Sequence, residues 1–352
     1  MFIHSPILPT RLNIYNGRMS RIHLFLILCL ASLACQSQIL PIPTETPTVT
    51  PSPTQTPTAP PNLEPTLTPI ASPLGTPAPL AHRVLILSID GFRPDAMPLA
   101  PMPFLMTLLE KSAYSLTAQT VYPSVTLVAH TSMLSGQCPA KHKVDWNDYI
   151  PENGYAQVTD IFDIAHQAGM QTVMYVGKEK LQQITEPASL DVFKFINDRD
   201  LVITEDLIQN FPVDFRLMFV HFPTPDFMGH EYGWLSPEQL SVLFRADQAI
   251  EKLVTELENR GLREETLFII TADHGGHDTT HGYSLPEDMT IPWIAFGQGI
   301  QPAALNSSIT TIDTASTAAF ALGLSIPPEW DGVPVYEAFG LPLEKAPVGC
   351  VR

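Results

Sequence analysis

An α/β sandwich with a mostly parallel central sheet flanked by helices is the fold class the sequence predicts, and three observations predict it. Continuous apolar runs recur along the chain, helical stretches lie between them, and polar clusters stand just past the ends of the runs. A run that is apolar at every position is the pattern of a strand covered on both faces, as strands in a parallel sheet are.

The first such run, Val84 to Ile89, ends at Asp90-Gly91. Others are Thr172 to Val176, Leu217 to Phe222, Thr266 to Ile270 and Ile291 to Phe296. The clearest helix opens at Ser236-Pro237-Glu238-Gln239, where a capping Ser, a first-turn Pro and a Gln three positions on satisfy the free amides. Its apolar stripe is Leu240, Leu243, Ile250, Leu253 and Leu257, and it stops at Arg260-Gly261. Asp247 interrupts the stripe, and the reading expected of it is a bond to neighbouring backbone rather than chemistry. No internal repeat is evident.

The chain has 352 residues with 36 Asp and Glu against 19 Lys and Arg, a formal charge of −17. An acidic balance argues against a general nucleic-acid binder, which needs a basic face for phosphates. Of the 35 prolines, 13 fall between Pro41 and Pro79. Residues 36–80 hold no basic residue and repeat Pro with Thr, which predicts an extended spacer. Before it, a basic start leads into the apolar run Leu24 to Cys35, about a dozen residues, the length of a signal-peptide core and short for a bilayer span.

Residues 1–35 are therefore expected to be a signal peptide, with Met19 as an alternative start. Ser32-Leu33-Ala34-Cys35 resembles a bacterial lipoprotein cleavage site, so the expectation is an exported, cell-surface lipoprotein that meets the membrane only through a lipid on Cys35; an ordinary secretory signal is the alternative. Residues 81–345 are read as the catalytic domain and 346–352 as a tail. Only Cys138 and Cys350 belong to the folded part, and an even pair in an exported protein invites a disulfide. Oligomeric state is not written in the sequence.

Function in such sheets collects beyond the carboxyl ends of strands. Asp90, the segment around Thr126, Pro225-Asp226-Phe-Met-Gly-His230, and Thr271-Ala-Asp273-His274-Gly-Gly-His277-Asp-Thr-Thr-His281-Gly all stand there. Carboxylates with neutral imidazoles are the usual ligands of catalytic zinc where no thiolate is offered. One Asp-His pair after a strand is equally an ordinary hydrogen bond; several at successive strand ends point to a metal centre.

These residues resemble the alkaline phosphatase superfamily, and within it the type I phosphodiesterase and nucleotide pyrophosphatase family, through Ser-Ile-Asp90-Gly-Phe-Arg, Tyr-Pro-Ser-Val-Thr126 with His130, Pro-Asp226-x-x-Gly-His230 and Asp273-His274-Gly. The resemblance runs from Val84 to about Tyr336. It implies two Zn²⁺, with other divalent metals as alternatives: Asp90, Thr126, Asp273 and His274 hold one, and Asp226, His230 and His281 the other. It implies Thr126 as the nucleophile of a phosphothreonyl intermediate and Asn147, 21 positions on, as the donor that stabilises the developing charge. His142 and Gly136 also fall where the family has them. His281 rather than His277 is taken as the last ligand because it precedes Gly282, as the family's final His precedes Gly.

Two departures bear on substrate. Leu127 and Val125 stand where the nucleotide pyrophosphatases have an aromatic and a Lys, and only six residues separate His274 from His281 where those enzymes carry a long insertion. A more open, less base-selective site is expected. Lys178 and Lys180 follow the Thr172 strand and resemble the substrate-anion contacts of phosphonoacetate hydrolases; a solvated loop is the alternative. The sequence therefore points to a phosphoric ester hydrolase for a small phosphate ester or phosphonate, with phosphodiesters first and a phosphomonoesterase or phosphonoacetate hydrolase using Lys178 and Lys180 second. A tethered, non-catalytic binding protein is the reading from another class. Nothing in the sequence signals the acceptor alcohol of an ethanolamine-phosphate transferase, and Cys138-Pro139 puts proline one place too early for a sulfatase.

Overall fold

Every residue of β1 (Arg83–Ile89) is buried, because the strand lies in the middle of an eight-stranded sheet with neighbours on both sides. The other strands are β2 (Ser112–Gln119), β3 (Gln171–Val176), β4 (Val192–Phe195), β5 (Phe215–Phe222), β6 (Thr266–Thr271), β7 (Thr290–Gly297) and β8 (Ala303–Ala304). Their order across the sheet is β4-β3-β5-β1-β6-β7-β2-β8. All pairings are parallel except the two made by β7, which runs against β6 and β2. The mostly parallel α/β sandwich read from the sequence is thus the observed architecture.

The computed structural model describes residues 79–343 and 349–350. The expected signal peptide, Cys35, the spacer up to residue 78 and the tail apart from Gly349 and Cys350 lie outside the described residues. Among the described residues no helix is long and apolar enough to cross a membrane.

The long helix Pro237–Asn259 begins as its sequence predicts: Ser236 Oγ accepts from the Gln239 amide at 3.2 Å, and Gln239 Oε1 accepts from the Leu235 amide at 2.6 Å. Leu243, Ile250, Leu253 and Leu257 are buried against the core. Asp247 accepts from the amides of Phe104 and Leu105 at 3.0 and 2.7 Å, capping the helix Pro103–Leu109 that packs alongside. The expected backbone role holds, with the backbone supplied by another element. Cys138 and Cys350 form a disulfide across 212 positions, packed with Val121, Val128 and Ala129 behind the helix Thr126–Ser135.

The topology explains why the polar clusters meet. β1, β3, β5 and β6 are parallel, and β2 points the same way because the reversed β7 stands between it and β6. The segments that follow these five strands therefore emerge along one edge of the sheet, the place where open α/β sheets bind ligands.

Candidate metal centre and nucleophile

Thr126 is the first residue of the helix Thr126–Ser135, all of whose residues are buried. Val125 before it is extended and gives no side-chain cap, so the positive end of the helix faces the strand-end cluster. Thr126 Oγ1 lies 3.5 Å from His274 Nε2 and 3.3 Å from Lys178 Nζ. Asn147 Oδ1 accepts from the amide of Leu127 at 2.9 Å. A backbone amide only donates, so the Asn147 carbonyl is the group facing it, and the Asn147 NH₂ makes no hydrogen bond among the described residues.

Three carboxylates share one arrangement. Asp90 Oδ2 takes Lys178 Nζ at 2.6 Å and His221 Nε2 at 2.9 Å. Asp226 Oδ2 takes Lys178 Nζ at 2.5 Å. Asp273 Oδ1 accepts from the amides of Gly91 and His274 at 3.2 and 3.0 Å. In each case the second oxygen, Asp90 Oδ1, Asp226 Oδ1 or Asp273 Oδ2, is buried without a hydrogen-bond partner. Those three oxygens face imidazoles: Asp90 Oδ1 and Asp273 Oδ2 lie 3.4 and 3.2 Å from His274 Nε2, and Asp226 Oδ1 lies 3.5 and 3.6 Å from the Nε2 atoms of His230 and His281.

The imidazoles are held by their other nitrogens. Nδ1 of His274, His281 and His230 lies 2.8, 2.8 and 3.0 Å from the carbonyls of Gly275, Ser124 and Thr279, which fixes the proton there and turns each Nε2 inward as an acceptor. Burial, ahead of its charged neighbours, pushes His274 below the ordinary histidine range, and burial together with His274 brings His281 to about 3. Both rings are therefore neutral, and the His281 Nε2 lies 3.1 Å from that of His230. Burial of itself raises Asp90, but the Lys178 ammonium and His221 outweigh it and hold that carboxyl well below the usual carboxylate range. Burial and the nearby Asp90 charge raise Asp273. For Lys178, burial works against the ammonium, yet Asp226, Asp90 and Asp273 more than offset it and the group sits above the usual lysine range.

Two groups bring ligand atoms within 4.8 Å of one another: Asp226 with His230 and His281, and Asp90 with Asp226 and His274. Unpartnered buried carboxylate oxygens beside neutral Nε2 atoms are costly in a dry interior and are the donor set that a divalent metal satisfies. The residues present fit such an ion. The arrangement departs from the expected partition in one respect, since Asp226 stands between both groups while Asp273 flanks the second. His277 is not among them; its Nδ1 lies 2.6 Å from Asp288 Oδ1.

Lys178 does not present its ammonium at the rim: three buried carboxylates draw the side chain inward, and Nζ is engaged by Asp90, Asp226 and Thr126. Lys178 and Lys180 both line, with Asp148, Tyr149, Phe227 and His230, a cleft of about 400 Å³ that opens on Asp226. Asn147 holds the Leu127 amide through its carbonyl, so the residue expected to donate to a phosphate oxygen also fixes the backbone next to Thr126.

The sequence reading gave no role to two residues that the fold brings in. His221 stands inside β5 opposite Ser88 of β1, and a polar residue in an apolar run was the signal available. Trp234 donates Nε1–H to the Gly91 carbonyl at 2.9 Å and lies edge-on to the His230 ring with centroids 5.2 Å apart. It fits because Gly229 and Gly276 lack side chains: a Cβ there would come within 2.8 and 2.2 Å of the indole.

A family model described as type I phosphodiesterase / nucleotide pyrophosphatase matches residues 84–290. The catalytic subunit of human GPI ethanolamine phosphate transferase 2 is 29% identical over 275 residues, covering 71% of this chain and 27% of the relative. The bis(5'-adenosyl)-triphosphatase of Mus musculus is 25% identical over 217 residues, covering 55% of this chain and 47% of the relative. The chain thus spans from about a quarter to about half the length of these curated relatives. Among solved structures, murine ectonucleotide pyrophosphatase / phosphodiesterase 5, as an inactive threonine-to-alanine variant in complex with AMP, superposes with a TM-score of 0.63 at 16% identity, covering 74% of this chain and 99% of that one. A 2-O GAG sulfatase gives 0.62 at 14% identity, with 76% of each chain covered, and both likenesses speak for the fold alone. The segments matched by the family model are those that carry Thr126, the three carboxylates and the inward-facing imidazoles, and with more than half of its length so matched the chain belongs to the type I phosphodiesterase / nucleotide pyrophosphatase family.

Proposed function

We propose that the protein is a zinc-dependent hydrolase of small phosphoric esters, with phosphodiesters and pyrophosphates as its first substrates and Thr126 as its nucleophile. The observation that carries this reading is the shared orientation of Asp90, Asp226 and Asp273, each with one oxygen held by protein and the other unpartnered beside an Nε2. Asp90, Asp273, His274 and Thr126 would hold one divalent ion, and Asp226, His230 and His281 a second. Bound there, such ions supply Lewis-acid chemistry, lowering the cost of negative charge on oxygen and phosphate.

The chain's own groups do the rest. The helix N-terminus and a buried, water-poor setting orient Thr126 Oγ1 toward a phosphorus entering from the cleft. Oγ1 bonds to phosphorus as the ester oxygen leaves with its bonding pair, and the threonine proton ends on the departing alcohol. Water then splits the phosphothreonine, restoring the hydroxyl and releasing the phosphate product. Three negative carboxylates would otherwise repel an anionic substrate, so turnover on this acidic chain depends on cations within the site.

The decisive experiment compares rates on bis-p-nitrophenyl phosphate, p-nitrophenyl phosphate and phosphonoacetate, with and without zinc. Zinc-dependent turnover with the diester fastest is expected; no turnover of any of the three with zinc present would sink the hydrolase reading and favour the tethered binding protein. The human transferase relative supports a second reading, in which an alcohol replaces water in the second step. Product capture by added ethanolamine or glycerol, in preference to hydrolysis, would select it. The phosphonate reading, using Lys178 and Lys180, is supported by both lysines lining the cleft, with Lys178 also engaged by the carboxylates. Export, with a lipid on Cys35 or by an ordinary secretory signal, completes the proposal, and the Cys138–Cys350 disulfide supports an oxidising compartment.

A further inference from the structure

Lys178 is buried, and its ammonium has three N–H donors. Three oxygens surround it: Asp226 Oδ2 at 2.5 Å, Asp90 Oδ2 at 2.6 Å and Thr126 Oγ1 at 3.3 Å. Two of these contacts are hydrogen bonds, to Asp226 Oδ2 and Thr126 Oγ1, and the third is an ion pair with Asp90, so the ammonium is committed chiefly to the protein's own oxygens. Among the described residues no other lysine or arginine forms an ion pair with Asp90, Asp226 or Asp273.

We propose that Lys178 is the fixed cation of this site, which turns Asp90 and Asp226 so that one oxygen of each faces the imidazoles and which donates to the nucleophile oxygen of Thr126. This rests on the metal-centred reading above and assigns Lys178 a part in it that differs from substrate binding. The geometry requires a lysine: a planar guanidinium carries its donors in a fork and does not converge them on three oxygens around one atom. Because Oδ2 of each carboxylate is occupied, Oδ1 is the only oxygen left to turn toward the histidines. Because the ammonium also touches Oγ1, it stabilises negative charge there in the transition state, and such a contact acts on kcat rather than on substrate affinity.

The test uses the whole chain and zinc chloride alone as the metal probe, with Lys178→Met and Lys178→Arg. Removing the cation leaves buried carboxylates unbalanced, and a dication makes up part of the deficit. The zinc-induced rise in Tm is therefore expected to be larger in Lys178→Met than in the wild type, up to a variant that folds only with zinc. Lys178→Arg keeps the charge and is expected to show a rise like the wild type's. With zinc bound, Lys178→Met should lose roughly 10- to 100-fold in kcat on bis-p-nitrophenyl phosphate and p-nitrophenyl phosphate alike, with KM little changed. Lys178→Arg should also be slow, since charge without convergence does not place Oγ1.

An equal zinc-induced rise in wild type and Lys178→Met overturns the proposal, as does a loss confined to the KM of the monoester, which would return Lys178 to substrate binding. A wild-type chain with no zinc-induced rise at all speaks instead against the metal-centred reading, so the two failures are separable.

Discussion

The two halves of the site differ in depth. Asp90, Thr126, Asp273 and His274 lie in the interior, whereas the half built on Asp226 reaches the surface through His230, whose side chain is 45% exposed. In the inner half each group is positioned by strand ends and a helix start locked into the sheet. The outer half joins Asp226 and His230, one turn apart on the helix Thr224–Tyr232, to His281 from a loop, with Trp234 backing His230 and His281 and the cleft opening in front. On the proposed mechanism the difference separates two tasks: the inner half would hold the nucleophile dry, and the outer half would meet substrate and water.

Thr126→Ala is the strongest way to break that division. It removes the proposed nucleophile while leaving the carboxylates and imidazoles in place, so turnover should fall by roughly 10³-fold or more with zinc content largely kept. Wild-type-like rates alongside intact zinc content would remove the covalent step from the inner half.

The next test compares one residue from each half. Asp273→Asn keeps an acceptor for the Gly91 and His274 amides, so folding should survive while zinc affinity, measured by competition with a chelator, drops on the order of 10- to 100-fold. His230→Asn should cost less, because water reaches the exposed half and can fill a missing position. Equal losses would show that the difference in depth does not matter to the metal.

A smaller effect tests the support behind the helix Thr126–Ser135. Val144 donates its amide to His142 Nδ1 at 3.1 Å, and His142 Nε2 lies 2.9 Å from Ser132 Oγ, so the ring is a neutral donor to that helix. Burial lowers His142 to about 4. The folded state thus binds fewer protons than the unfolded chain, whose histidine titrates near 6.5. This stability is fully present above that pH and is lost as pH falls toward 4, by up to about 3 kcal/mol. Urea unfolding at pH 7 and pH 4.5 should show a shallower pH dependence in His142→Gln than in the wild type.

The smallest change expected is Asn147→Ala. It frees the Leu127 amide, a hydrogen bond worth about 1 kcal/mol, and should slow turnover roughly 5- to 10-fold. A loss approaching 10³-fold would sharpen the picture differently, showing that the Asn147 NH₂ also reaches the transition state.

What was legible follows the same contrast. The runs Val84 to Ile89, Leu217 to Phe222 and Thr266 to Ile270 announced buried strands because both faces are covered, and the polar residues after them had to share an edge. β2 escaped notice because it mixes Ser, Thr and Gln with apolar residues, and β4 and β8 because four- and two-residue edge strands have no period to read. Within the site, residue identity and strand end located Lys178, but the direction of a long side chain depends on charges that only the fold assembles. For the same reason Asn147 was found by spacing while the orientation of its amide was not.

The Cys138–Cys350 bond makes a covalent ring of the chain between them, and the ring divides the site. Asn147, Lys178, Asp226, His230, Asp273, His274 and His281 lie on the ring, whereas Asp90 and Thr126 lie on the arm that precedes it. That arm supplies β1 to a slot between β5 and β6 and β2 to one between β7 and β8, so the ring cannot form a continuous sheet without it. Synthesis delivers the arm and Cys138 first and Cys350 212 positions later. The thiol of Cys138 therefore waits through the making of the whole ring before its partner can reach the back of the helix Thr126–Ser135.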